Sequence, residues 1–233
     1  MGKRIDMDRM ALELALADSL DEKKKIAKKI TSLAYKAGIY SSSINDFYLA
    51  RGKGEVAPTF TVPAINLRVL TYDLAKAIFR VAKRNNAGAF IFEIAKSEMG
   101  YTNQPPAEYV AVILAAALKE GWQGPVFIQG DHFQVSAKNF KADPEKELDG
   151  IKALITNALE AGFYNIDIDS STIVDLSKPT IKKQQELNYE VCAKLTNFIR
   201  QNQPKGIEVS VGGEIGEVGE KNSTPEDLRA YME

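Results

Sequence analysis

The chain has one cysteine, one histidine and one tryptophan among its 233 residues. The single cysteine, Cys192, excludes an intrachain disulfide and any zinc site built from several thiolates. It reads as a small helix residue and fits a reducing compartment. The single histidine, His132, excludes chemistry that needs two imidazoles. No apolar run approaches the roughly 20 residues of a membrane-spanning helix. The N-terminus carries Lys3, Arg4, Asp6, Asp8 and Arg9 and has no apolar signal-peptide core. Asp6 also stands where a myristoylation signal has Ser or Thr. A cytoplasmic location is therefore expected.

Neither sign of charge is in excess. Lys and Arg total 30, Asp and Glu total 31, and the formal net charge is -1. That balance argues against a general polyanion binder, so neither nucleic acid nor membrane is expected as a partner. Lys23, Lys24, Lys25, Lys28 and Lys29 read as the solvated face of a helix. The phosphate-binding spacings GxGxxG and GxxxxGK[ST] are absent, and so is the GxSxG elbow. The glycine-rich stretch from Gly212 to Gly219 has the wrong spacing for a dinucleotide loop, and Glu214 and Glu217 would repel a pyrophosphate.

What is present is a strand–helix alternation. Ser19 and Glu22 have capping-box spacing ahead of Ile26, Ile30 and Leu33, and Gly38 is a plausible stop. Residues 39 to 58 read as a connection. From Phe60 onward, strand-like segments end near Leu67, Ile94, Asp131, Asp169 and Val211. Helical patterns lie between them, the third stopping near Gly162. Five consecutive βα-type units imply a parallel sheet with helices outside. A doubly wound sheet and an eight-fold barrel both satisfy that pattern. Thr224 and Pro225 open a further helix, in which the sequence ends.

The chemistry-bearing residues fall at strand ends. Asp131 and His132 close the apolar run from Pro125 to Gly130. Asp167 and Asp169 lie on the next strand, two residues apart and so on one face. Glu214 follows the last. Parallel α/β folds place their chemistry at the carboxyl ends of strands. One imidazole with several carboxylates suits zinc or a harder divalent ion. The plain alternatives are a structural histidine at 132, a polar turn at Asp169 to Thr172, and a loop carboxylate at Glu214.

These segments resemble, in order, those of the class II (metal-dependent) fructose- and tagatose-bisphosphate aldolases. Pro63-Ala64-Ile65-Asn66 resembles the family's first strand and Gln129-Gly130-Asp131-His132 its Asp-His signature. Ile166-Asp167-Ile168-Asp169-Ser170 and Gly213-Glu214-Ile215-Gly216 with Gly219 are similar to later strand ends. The resemblance covers about residues 60 to 233. Glu93, Gly100-Tyr101-Thr102 and Gly130-Asp131-His132 also resemble the non-catalytic subunit of tagatose-bisphosphate aldolase.

The resemblance implies a (β/α)8 TIM barrel at 59–233, apparently truncated after its fifth strand; it does not account for the N-terminal helical extension at 1–58, which could serve assembly. It implies reversible aldol cleavage of a phosphorylated ketose, with Asp131 as acid/base. His132, Asp169 and Glu214 would lie at a zinc site, and Asn66 near the substrate. The alternative it implies is a subunit that stabilises a partner class II aldolase. The expected partners are a phosphorylated sugar and either further copies of the chain or that aldolase subunit. The family's two later metal-binding histidines and its phosphate-binding glycine loop have no counterpart here. The chain alone is therefore expected to be inactive.

Overall fold

The computed structural model describes residues 6–216 and 222–233. Lys3 and Arg4 of the charged N-terminus, and Glu217 to Gly219 of the glycine-rich stretch, lie outside the described residues.

Local sequence sets most element boundaries. Asp6 accepts hydrogen bonds from the amides of Asp8 and Arg9 and starts α1 (Met7–Leu16). Ser19 accepts from the Glu22 amide and starts α2 (Leu20–Lys36), as the capping spacing predicts. Gly38 then turns the chain at φ 76° into β1 (Ile39–Ser42) and α3 (Asn45–Gly52). The alternation follows with β2 (Ala64–Asn66), α4 (Thr71–Arg84), β3 (Ile91–Ala95), α5 (Lys96–Thr102) and α6 (Pro106–Glu120). Next come β4 (Gly124–Gln134), α7 (Ala137–Ala142), α8 (Pro144–Ala161) and β5 (Asn165–Asp169). The chain continues through α9 (Ile181–Gln184), α10 (Glu186–Asn202), β6 (Ser210–Gly213) and α11 (Pro225–Met232). Gly162 ends α8 at φ 107°, where a side chain would be strained. Thr224 and Asp227 form a reciprocal capping box on α11.

The strands form one parallel sheet in the order β2-β3-β4-β5-β6. β1 pairs with the first residues of β4, from Ile39 opposite Gly124 to Ser42 opposite Phe127. Helices flank the sheet, as the alternation of patterns implies. The closed eight-stranded barrel is not what the described strands form, because β2 and β6 remain at the two ends of their order. Residues 39 to 58 are also more than a connection, since β1 joins the sheet and Ile39 and Ile44 are buried.

Strand side chains alternate, so Ile94, Ile128, Ile166 and Ile168 share one face of the sheet, opposite Glu93, Asp131 and Asp167. All four isoleucines are buried. α6 is buried along its whole middle, from Tyr109 to Ala117, and packs against α1, α2, α4 and α8. A helix apolar all round needs such a central place. Phe79 packs at a tilt or edge-on against Phe90, Phe92 and Trp122, at ring separations of 5.1 to 6.0 Å. Truncating Phe79 to alanine would cost about 3–5 kcal/mol. No helix among the described residues is long and apolar enough to cross a membrane.

Candidate functional site

The site is built on an irregularity in β4. In a regular strand, neighbours such as Asp131 and His132 would point to opposite faces of the sheet. Here β4 advances from Gly130 to Phe133 while β5 advances only from Ile166 to Ile168, so β4 holds one extra residue. His132 sits in that bulge at φ 43°, a left-handed conformation uncommon outside glycine. The bulge lets both side chains share one site, with His132 Nε2 3.4 Å from Asp131 Oδ1. Gly130 is required beside it, because a Cβ there would collide with the Phe133 ring.

β5 supplies two carboxylates with different tasks. Asp169 Oδ2 lies 3.2 Å from His132 Nδ1 and accepts from Gln134 Nε2 at 2.5 Å. Its Oδ1 accepts from the Ser171 amide at 3.1 Å and from the Ser171 hydroxyl at 2.6 Å. Burial pushes the Asp169 carboxyl up, but the Ser171, Gln134 and His132 hydrogen bonds outweigh it and hold the group below its ordinary value. Donation from Nδ1 to this carboxylate leaves the lone pair of a neutral His132 on Nε2. Asp167, two residues earlier, joins Asp131 and His132. Each of the three offers a ligand atom, and these atoms all lie within 4.8 Å of one another.

The electrostatics are those of crowded carboxylates. Burial, then Glu214, pushes Asp167 up to about 6. Burial, then Asp131, pushes Glu93 of β3 up to about 7. Burial also raises Asp131. Burial alone would lower His132, but its hydrogen bond to Asp169 and the charge of Asp131 hold it above its ordinary value. A cation placed between these groups would relieve the repulsion and take neutral His132 as a ligand.

The sequence-derived candidates separate as follows. Asp131 and His132 lie together at the β4 bulge, and the strand runs on past them to Gln134 instead of ending there; Asp169 lies behind His132 as its hydrogen-bond partner. Glu214 follows β6 and acts electrostatically on Asp167, but it is not among the three residues whose ligand atoms converge. Asn66 is engaged by its neighbours: Nδ2 donates to Glu98 at 2.7 Å, and Oδ1 accepts from Arg68 Nε at 3.3 Å. Asp167 shares the face of Asp169, as their spacing predicts, and Gly212 of the glycine-rich stretch shapes the space beside it. A Cβ at Gly212 would stand 2.8 Å from Asp167 Oδ1, so this glycine makes room for the carboxylate. The signal for this is the pairing of Gly212 opposite Asp167 across β5 and β6.

No family model matches the chain, and no curated protein matches it. Among solved structures, the chain is similar to a probable tagatose 6-phosphate kinase from Sinorhizobium meliloti 1021. The TM-score is 0.51 at 16% identity, and the match covers 74% of this chain and 43% of that one. The chain therefore spans less than half the length of that structure, and at this identity the likeness is one of fold.

These comparisons correct the aldolase reading. The similar structure is described as a probable tagatose 6-phosphate kinase and not as an aldolase, and no family model matches. The class II assignment, the lyase activity and the partner-subunit alternative fall together, and glycolytic aldol cleavage falls with them. The physical reason is that short polar motifs gather at the carboxyl ends of parallel strands in many unrelated enzymes. They mark where a site lies and leave its reaction open.

Proposed function

We propose that this chain forms a divalent-cation-dependent site for a phosphorylated sugar, and that its reaction is phosphoryl transfer. The observation that carries the proposal is the convergence of Asp131, His132 and Asp167 ligand atoms within 4.8 Å. One imidazole and two carboxylates suit zinc or manganese, with water or substrate completing the shell. The description of the similar structure as a sugar-phosphate kinase supports both the substrate class and the reaction. The run of strands from β2 to β6 in sequence order supports an arc of a (β/α)8 barrel, since a doubly wound sheet reverses its order.

The residue roles follow from the geometry. Asp131, His132 and Asp167 would hold the ion, which would neutralise charge on the phosphoryl oxygens. Asp169 fixes the His132 ring so that Nε2 faces the site. Glu93, pushed up to about 7, is poised to accept the proton of an attacking sugar hydroxyl near neutral pH. Gln129 Nε2 donates to Glu93 at 3.2 Å and orients it.

The test is phosphoryl transfer from ATP to tagatose 6-phosphate with manganese present. The expected result is transfer that EDTA removes and that Asp131→Asn lowers by at least about 100-fold. A protein that neither binds a divalent ion nor transfers the group would overturn the reading.

A further inference from the structure

We propose that Arg68, together with the first turn of α4, is the subsite for the phosphate group of the sugar substrate. The inference rests on the reading above and goes beyond it, because it assigns the recognition of the phosphate to residues outside the cation cluster.

Arg68 lies two residues past β2, at the same sheet edge as the cation cluster. Asn66 pairs with Glu93, and Ala95 pairs with Asp131. Continuing that register brings Arg68 level with Asp131, two strands away. Two strand spacings amount to about 10 Å, within the reach of an extended phosphorylated sugar bound at the cluster by its other end.

The guanidinium is held from behind. Its Nε stands 3.1 Å from Glu98 Oε1 and 3.3 Å from Asn66 Oδ1. Glu98 is 7% exposed and is itself fixed, its Oε2 accepting from Asn66 Nδ2 at 2.7 Å and from the Ala95 amide at 2.9 Å. Yet the Arg68 side chain is 55% exposed, and its two Nη groups make no hydrogen bond among the described residues. An exposed guanidinium anchored through Nε, with neither Nη group engaged among the described residues, matches the paired oxygens of a phosphate.

The second observation is the cavity beside it. About 820 Å³ in volume, it is lined by Arg68, Leu70, Thr71, Lys76 and others. α4 starts there behind Leu70 at φ 50°, and no side chain caps it. The first turn of a 14-residue helix therefore borders the cavity that Arg68 also lines, where the helix dipole favours an anion. The carboxylates on the wall are already matched. Asp8 is held by Lys119 at 2.5 Å and Lys76 at 3.3 Å, Asp73 by Lys76 at 3.0 Å, and Glu108 by Lys23 at 2.5 Å. The counter-ion of Arg68, by contrast, lies in the protein interior.

The experiment is calorimetric titration of wild type, Arg68→Gln and Arg68→Lys with tagatose 6-phosphate, unphosphorylated tagatose, inorganic phosphate and manganese. Arg68→Gln should bind both phosphate compounds about 10- to 100-fold more weakly. Its affinity for tagatose and manganese should stay within about twofold of wild type. Arg68→Lys keeps the charge and loses the fork, so it should fall between the two and serves if the glutamine variant fails to fold. Undiminished phosphate binding in the variants would overturn the inference. So would an equal loss for all four ligands, or a wild type that binds neither phosphate compound. Arg68-dependent phosphate binding in a protein that binds no cation and transfers no phosphoryl group would uphold the subsite and overturn the proposed function instead.

Discussion

His132 Nδ1 lies 3.2 Å from Oδ2 of Asp169, a carboxylate whose side chain is only 2% exposed. The imidazole is thus oriented from behind by a buried anion, and its Nε2 lies 3.4 Å from Asp131 Oδ1. Asp169 is in turn fixed by Gln134 and Ser171, so the orientation is built into two strands and the turn after β5.

Replacing Asp169 with Asn should weaken cation binding while sparing the ligands themselves. Partners that orient a ligating histidine are typically worth 10- to 100-fold in affinity, and a loss of about that size is expected. Manganese titration of the variant measures it, with far-UV circular dichroism showing that the fold persists. An unchanged affinity would mean that the His132–Asp169 contact serves the fold alone.

Cation affinity should rise with pH. Asp167 at about 6 and a raised His132 both hold protons that an incoming ion must displace. Between about pH 5 and about pH 7 the affinity should climb by up to about tenfold per pH unit for each proton released. Titrations at several pH values measure the slope, and a flat profile would remove these groups from the ligand set.

The sign reverses for folding without a cation. The Glu93 carboxyl holds its proton more tightly in the folded state, at about 7, than the roughly 4.3 of an unfolded glutamate. Its contribution is complete below about pH 4.3 and is lost as the pH rises through about 7. Glu93→Gln should therefore raise the thermal midpoint relative to wild type more at about pH 8 than at about pH 5. Equal differences at both pH values would show that Glu93 does not titrate in that window.

Much of the scaffold could be read from sequence because it follows from local chemistry. Ser19 caps α2, Gly162 ends α8, and the apolar runs ending near Ile94 and Asp131 are strands. That Asp131 and His132 belong to a strand was legible for the same reason, although β4 runs on to Gln134. The bulge was not, because the extra residue in β4 exists only relative to β5. Without it, the different tasks of Asp167 and Asp169 could not be assigned. β1 was hidden by Ser41, Ser42 and Ser43, which look like loop residues until Ile39 and Ile44 are seen to be buried. The aldolase resemblance misled because it joined short motifs whose shared property is their place in a parallel sheet.

Gly212 offers a test of crowding at the site. Alanine there would bring a Cβ to within 2.8 Å of Asp167 Oδ1, and the carboxylate would have to move. Manganese affinity should drop by about tenfold or more, with a smaller effect on stability. Wild-type affinity in Gly212→Ala would show that Asp167 is not held where the cation binds.

Asn165 joins three strands and tests the fold. It is 1% exposed, accepts from the Ile44 amide at 2.8 Å, and donates to the carbonyls of Ser42 at 3.1 Å and Ile128 at 2.9 Å. Asn165→Ala leaves those three backbone groups without their partner and should cost about 2–5 kcal/mol. Urea unfolding measures the loss, and a cost under about 1 kcal/mol would contradict this tie between β1, β4 and β5.

Anomalous diffraction from crystals grown with zinc or manganese locates the cation itself. One strong peak is expected, bounded by Asp131, His132 Nε2 and Asp167 at about 2.0–2.2 Å from each ligand atom and absent in Asp167→Asn crystals. No peak there, or an ion coordinated elsewhere with these three residues untouched, would contradict the cation site.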